Sequence, residues 1–122
     1  MSIITKRGDD GETDLMFGKR IAKTSTRIAA LGALDELNAA LGLARAADTE
    51  GRHTAVIDRV QNLLFGLMGE LACLPEDLGK YREKGFAALT ESDLEWLTET
   101  ATEAEAKGVR FTPRGAASAH AP

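Results

Sequence analysis

Residues 25–47 read STRIAALGALDELNAALGLARAA. Ile28, Leu31, Leu34 (or Asp35), Leu37, Leu41 and Ala44 recur every three or four positions. That spacing places them on one face of an α-helix, with the polar residues opposite. Ser25 or Thr26 supplies a hydroxyl to accept a backbone N–H at the start. Asp48-Thr49-Glu50-Gly51 ends the helix, because Gly51 is free to take a left-handed turn.

The neighbouring stretches extend this pattern. Residues 53–73 read as a second helix, with Val56, Val60, Leu63, Leu64, Leu67, Met68 and Leu71 in a broad stripe and Pro75 as the stop. Residues 75–89 read as a loop of mixed composition containing Gly79 and Gly85. Residues 91–107 read as a third and more polar helix, with Leu94, Leu97 and Ala101 on its apolar face and Trp96 beside it. Thr90 followed by Asp93 resembles a capping box. Residues 1–24 are polar and Gly-rich, without helical period, and admit a short strand at Ile3-Ile4. Residues 112–122 are small and bland, a tail expected to be poorly ordered. The fold class is therefore all-α: an up-and-down bundle of about three main helices with an irregular N-terminal segment. The 122 residues form a single domain, in which 1–24 reads as an ordered or ligand-ordered N-terminal segment.

Composition agrees and excludes other classes. Hydrophobic residues are 43% and charged residues 28%, ordinary for a globular chain, and aromatics are only 5%, few for a β-sandwich. A net charge of -4 argues against nucleic-acid binding, which calls for a cationic surface. No apolar run approaches the ~20 residues of a membrane span. Met1–Asp14 lacks the apolar core of a signal peptide, so a cytoplasmic location is expected. The one cysteine, Cys73, lies in an apolar stretch and reads as a small buried hydrophobe. His53 and His120 have no metal-ligand spacing to Cys73 or to a carboxylate, so no protein-held metal is expected.

Two clusters carry chemistry. Thr5-Lys6-Arg7-Gly8-Asp9-Asp10-Gly11 mixes a hydroxyl, two cations and two glycines, and Gly18-Lys19-Arg20 and Lys23 add three cations. Glycines let backbone amides approach a phosphate, and lysines balance its charge. The Walker pattern GxxxxGK[ST] is absent. A solvated loop is the competing reading of this composition. Asp35-Glu36-Leu37-Asn38 is the second cluster. Asp35 and Asn38 are one turn apart on the side facing the apolar stripe, placed for a polar contact between helices or subunits or, less simply, for acid–base work.

Read together, these motifs resemble those of the PduO-type corrinoid adenosyltransferases. ITKRGDDGETDLMFGKRIAK is similar to that family's YTKTGD.G.T segment and the G(K/E)R..K stretch after it. RIAALGALDELNAALGLARA is similar to its R..AYG.VDELN helix, and VQNLLFGLMGELA to QN.LF..G..LA. SDLEWLTE resembles its third helix, and VRFTPRG the start of a FILPGG turn. Ile4 and Leu31 stand where the family has Tyr, and Arg7 where it has a small polar residue.

The resemblance implies a helical bundle assembled as a homotrimer, with active sites between subunits. It implies transfer of the 5′-deoxyadenosyl group of ATP to the cobalt of a reduced cobalamin or other corrinoid, releasing triphosphate. By position, Thr5, Lys6, Arg7 and Gly8 line the phosphates or ribose, with Thr13 and Asp14 nearby, and Lys23 contacts the triphosphate. Mg²⁺ shares the phosphate charge. Asp35 matches an acid that pairs with an arginine of the adjacent subunit. Phe111 matches an aromatic that helps displace the corrinoid's lower ligand. The family continues beyond its LPGG turn into two helices with a His-x-x-Arg stretch and an RRAER-like segment, whereas this sequence reads PRGAASAHAP. The chain is therefore expected to be C-terminally truncated. The alternative function is a non-catalytic relative that binds ATP or corrinoid weakly or assembles with other subunits.

Overall fold

The computed structural model describes residues 2–108. These fall into two units, one ending at Ala88 and one beginning at Leu89. The first contains a small antiparallel hairpin of β1 (Glu12–Asp14) and β2 (Arg20–Ala22), then α1 (Thr26–Ala47), α2 (Thr54–Leu71) and α3 (Leu78–Glu83). The second contains α4 (Glu91–Ala106). The architecture is mostly helical.

Helix α1 begins where a cap is available: the Ser25 hydroxyl accepts from the Ile28 amide. It packs antiparallel on α2. Arg27, in its first turn, donates to the carbonyls of Leu71 (2.7 Å) and Cys73 (3.3 Å) at the far end of α2. Near the other end, Arg45 is ion-paired with Asp58. Midway, the Gln61 amide donates to the Asn38 carbonyl at 3.1 Å. A polar contact at each level fixes the register that apolar packing alone leaves loose.

The connection between α1 and α2 is organised by Asp48. Its carboxylate accepts from the amides of Arg52 (3.1 Å) and His53 (2.7 Å) and from the Thr54 hydroxyl (2.9 Å). These donors include amides at the open N-terminal end of α2, which need an acceptor from outside the helix. Gly51, at φ +69°, makes the left-handed step that brings the chain back.

The inward faces differ from the expected ones by a fraction of a turn. On α1, Leu31, Leu34, Asn38 and Leu41 are half-buried, while Asp35 and Leu37 are exposed. Asp35 therefore does not face the stripe with Asn38. Successive helical residues are 100° apart, so Leu34 and Asp35 compete for one seam and the apolar residue takes it. On α2, Ile57 and Leu64 are buried, whereas Val56 remains 38% exposed. Cys73 is buried as expected, at 1% exposure, and burial, with the Asp77 carboxylate next, pushes its thiol pKa up.

Two expectations need correction. Residues 75–89 are not simply a loop. Pro75–Asp77 forms a 3₁₀ turn that leads into α3, where Tyr81 is buried at 3% exposure. Pro at the first position, with Glu76 and Asp77 behind it, is a helix start that the mixed composition obscured. No strand forms at Ile3-Ile4, which are 98% and 80% exposed. The strands lie later, paired Glu12 to Ala22, Thr13 to Ile21 and Asp14 to Arg20.

In the second unit, Thr90 and Asp93 form the expected capping box. The Thr90 hydroxyl accepts from the Asp93 amide (3.2 Å), and the Asp93 carboxylate accepts from the Thr90 amide (2.9 Å). Leu94 and Leu97 are 60% and 47% exposed, so they do not form a buried face. Among the described residues no helix is long and apolar enough to cross a membrane.

Candidate functional site

The N-terminal segment is a looped arm closed by the hairpin. The Asp9 amide donates to the Lys6 carbonyl and the Gly11 amide to the Gly8 carbonyl, both at 3.2 Å. Lys6 takes φ +59°, an uncommon left-handed conformation for a residue with a side chain. Successive backbone N–H groups beside a left-handed residue can form a concavity for an anion. The Lys23 amide donates to the Gly11 carbonyl at 2.9 Å, so the chain just after β2 lies beside the loop. This carries the Lys23 side chain over Gly8, where a methyl group would meet Nζ at 2.8 Å.

The charges around this loop divide into two sets. Arg20 is the centre of the first. Its guanidinium donates to Asp14 (2.9 Å), Asp10 (3.2 Å), Glu12 (3.3 Å) and the Arg7 carbonyl (2.9 Å). The bond to Asp14, aided by Glu12 and Asp10, raises the arginine's pKa. The Asp10 carboxyl is held below its usual range by the Glu12 amide, with Arg20 adding to the effect. Arg7 also pairs with Asp14, at 3.2 Å. The second set is Lys6 and Lys23. Both are exposed, and among the described residues neither makes an ion pair.

The arm is mounted on the end of α2. The turn Met16–Gly18 between the strands hydrogen-bonds through the Met16 amide to the Ala72 carbonyl at 3.0 Å, and Leu15 is buried at 8% exposure. Lys19 reaches Asp77 at 3.8 Å, and Lys80 reaches the same carboxylate at 3.7 Å. Asp77 is 3% exposed, and its Oδ2 accepts no hydrogen bond. A buried carboxylate is costly unless cations flank it, and of these two pairs the one with Lys19 links the hairpin to the turn before α3.

The structure thus brings together Thr5, Lys6, Arg7, Gly8, Asp14 and Lys23, all on the loop or hairpin. Thr13 belongs to the same hairpin but alternates to the opposite side from Glu12 and Asp14. Asp35 is exposed on α1 and makes no ion pair among the described residues. Phe111 lies outside the described residues. The sequence marks Arg20 only as one of the added cations and does not single out Arg27 or Asp77. A signal for Arg20 existed: Asp10, Glu12 and Asp14 recur at the strand period of two, so one cation can face all three. Among the described residues there is no group of three or more His, Cys, Asp or Glu side chains placed to hold a metal ion.

Comparisons with known proteins place this geometry in context. Residues 3–120 match a family model described as cobalamin adenosyltransferase. The chain is 44% identical over 72 residues to the corrinoid adenosyltransferase PduO of Salmonella typhimurium, covering 59% of this chain and 21% of that protein. It is 33% identical over 98 residues to a corrinoid adenosyltransferase of Mycobacterium leprae, covering 80% of this chain and 51% of that one. A variant of the PduO-type ATP:corrinoid adenosyltransferase of Lactobacillus reuteri, complexed with ATP, superposes with a TM-score of 0.71 at 27% identity, over 93% of this chain and 61% of that one. A second variant, complexed with cobalamin and ATP, has a TM-score of 0.72 at 23% identity and is a likeness of fold. The chain spans between about a fifth and three-fifths of the length of these relatives.

Proposed function

The chain belongs to the cobalamin adenosyltransferase family, and from that premise we propose that it transfers the 5′-deoxyadenosyl group of ATP to a reduced corrinoid. The observation that carries the reading is the Lys23 ammonium poised over Gly8, on the same loop as Lys6, which makes no ion pair among the described residues and takes a left-handed backbone conformation. In the reaction the corrinoid's reduced cobalt, a substrate, forms a bond to the 5′ carbon while the bond from that carbon to the triphosphate oxygen breaks. The protein needs no acid or base for this step. It has to hold ATP in line, exclude water and balance the charge that collects on the departing triphosphate.

Residues 1–24 serve as the nucleotide-binding segment in this reading. Lys6, Lys23 and the amides near Gly8 receive the phosphates, and Thr5 adds a hydroxyl. Arg7 exchanges Asp14 for a phosphate oxygen when ATP arrives, an exchange between charge-assisted bonds of similar strength. Thr13, on the other side of the hairpin, and Asp14 lie near the residues that line the phosphates or ribose. Mg²⁺, when bound with the nucleotide, would share the charge of the triphosphate with Lys6 and Lys23.

Other parts of the reading rest on resemblance. Phe111 is assigned to displacing the corrinoid's lower ligand. Asp35 is assigned to a cation of a neighbouring subunit in a homotrimer. Its exposure on α1 leaves its carboxylate accessible to such a partner. The reaction is placed in the cytoplasm.

The test is product stoichiometry. One triphosphate should be released per adenosylated corrinoid formed from ATP. Release of orthophosphate or diphosphate without a new cobalt–carbon bond would identify an ATP hydrolase instead. ATP binding with no product would identify a ligand-holding relative.

A further inference from the structure

We propose that Arg20 is a positioning residue for nucleotide binding: it gathers and neutralises Asp10, Glu12 and Asp14 so that the adjacent loop presents its amides and lysines to a polyphosphate. The proposal deepens the reading of residues 5–23 as the triphosphate site and rests on it.

Two observations support it. The first is charge. Asp10, Glu12 and Asp14 lie on the same segment as Lys6 and Lys23, and all three are bound by the one guanidinium, at 3.2, 3.3 and 2.9 Å. Three uncompensated carboxylates within a screening length of about 8 Å would repel a polyanion and cancel the two lysines. The second is geometry. The same guanidinium donates to the Arg7 carbonyl at 2.9 Å, which ties the base of the loop to β2 across thirteen residues of chain. Arg20 is only 27% exposed at its side chain, and its planar fork is occupied on several edges. It therefore acts through the loop and does not itself touch the nucleotide.

A purely structural arginine and a charge-neutralising one make opposite forecasts when acceptors are removed. The experiment titrates Mg-ATP into the full chain and into three variants: Arg20→Gln, Arg20→Gln with Asp10→Asn and Glu12→Gln, and Asp10→Asn with Glu12→Gln alone. Arg20→Gln should weaken ATP binding at least about tenfold. The triple variant should recover most of that loss, although it has fewer hydrogen bonds than Arg20→Gln. Asp10→Asn with Glu12→Gln, which keeps Arg20 and frees part of its charge, should bind ATP more tightly than wild type. This last arm stands even if Arg20→Gln does not fold.

ATP affinity unchanged in Arg20→Gln, no recovery in the triple variant, or no gain in the double variant would overturn the proposal. Wild-type chain that binds no ATP would instead overturn the nucleotide-site reading, and the proposal with it. Wild-type binding with an indifferent Arg20→Gln overturns the role of Arg20 alone.

Discussion

The Lys23 ammonium lies over Gly8 so closely that a methyl group on the glycine Cα would sit 2.8 Å from Nζ and 3.1 Å from Cε. The obstructed atoms are the far end of a flexible side chain, which can swing away at little cost. Gly8→Ala should therefore leave the melting temperature nearly unchanged while displacing the lysine. ATP affinity measured calorimetrically should fall severalfold. A large drop in melting temperature would show that Gly8 is needed for the fold of the arm, not for the placement of Lys23.

Lys23 itself should matter more. An ammonium on a phosphate oxygen is a charge-assisted bond, and such bonds are worth about 1.5–3 kcal/mol. Lys23→Ala should weaken ATP binding about tenfold or more without changing the helical content seen by circular dichroism. Affinity equal to wild type would remove Lys23 from the site.

Acid should loosen the turn between α1 and α2. The Asp48 carboxyl is held below its ordinary value of 3.8, chiefly by the His53 amide, with burial opposing and Thr54 and Arg52 assisting. Asp58 is lowered in the same direction, chiefly by its bond to Arg45. A carboxyl with a lowered folded pKa adds stability that is complete above its unfolded pKa and is lost as pH falls through the folded one. The melting temperature should therefore be steady above about pH 5 and fall steeply below pH 4. Asp48→Asn should flatten that fall, and an unchanged profile would place the acid sensitivity elsewhere.

A tighter contact offers a packing test. A methyl group on Gly69 of α2 would lie 2.5 Å from the Tyr81 hydroxyl and 3.4 Å from the ring carbon that bears it. That hydroxyl donates to the Ala87 carbonyl, so it cannot simply turn away. Gly69→Ala should destabilise the chain by about 1–3 kcal/mol, the usual cost of overpacking. Adding Tyr81→Phe, which deletes the clashing oxygen, should recover part of that loss in a double-mutant cycle. Strictly additive effects would mean that the two residues do not meet.

The long elements were legible because their signals are local and repeated. Ser25, Thr90 with Asp93, and Gly51 each satisfy or redirect the backbone at a helix end, and each does so in the structure. The three-residue strands were passed over, because the short alternation of Asp10, Glu12 and Asp14 is too brief to separate a strand from a polar loop. Helix α3 was hidden for a similar reason: in six residues Tyr81 is its one buried side chain. The choice between Leu34 and Asp35 for the α1 seam needed the partner helix. In the arm, the mixture of glycines and cations was visible in the sequence. The separation of Arg7 and Arg20, bound by carboxylates, from Lys6 and Lys23, which make no ion pair among the described residues, depends on which strand residues share a face.

The most direct measurement is anaerobic adenosylation. The purified 122-residue chain is mixed with chemically reduced cobalamin, ATP and Mg²⁺, and the Co(I) absorbance is followed. The account predicts that this absorbance decays with repeated turnover, leaves an alkylated cobalamin, and slows in Lys23→Ala at subsaturating ATP. Co(I) absorbance that persists while ATP is bound and saturating would contradict it.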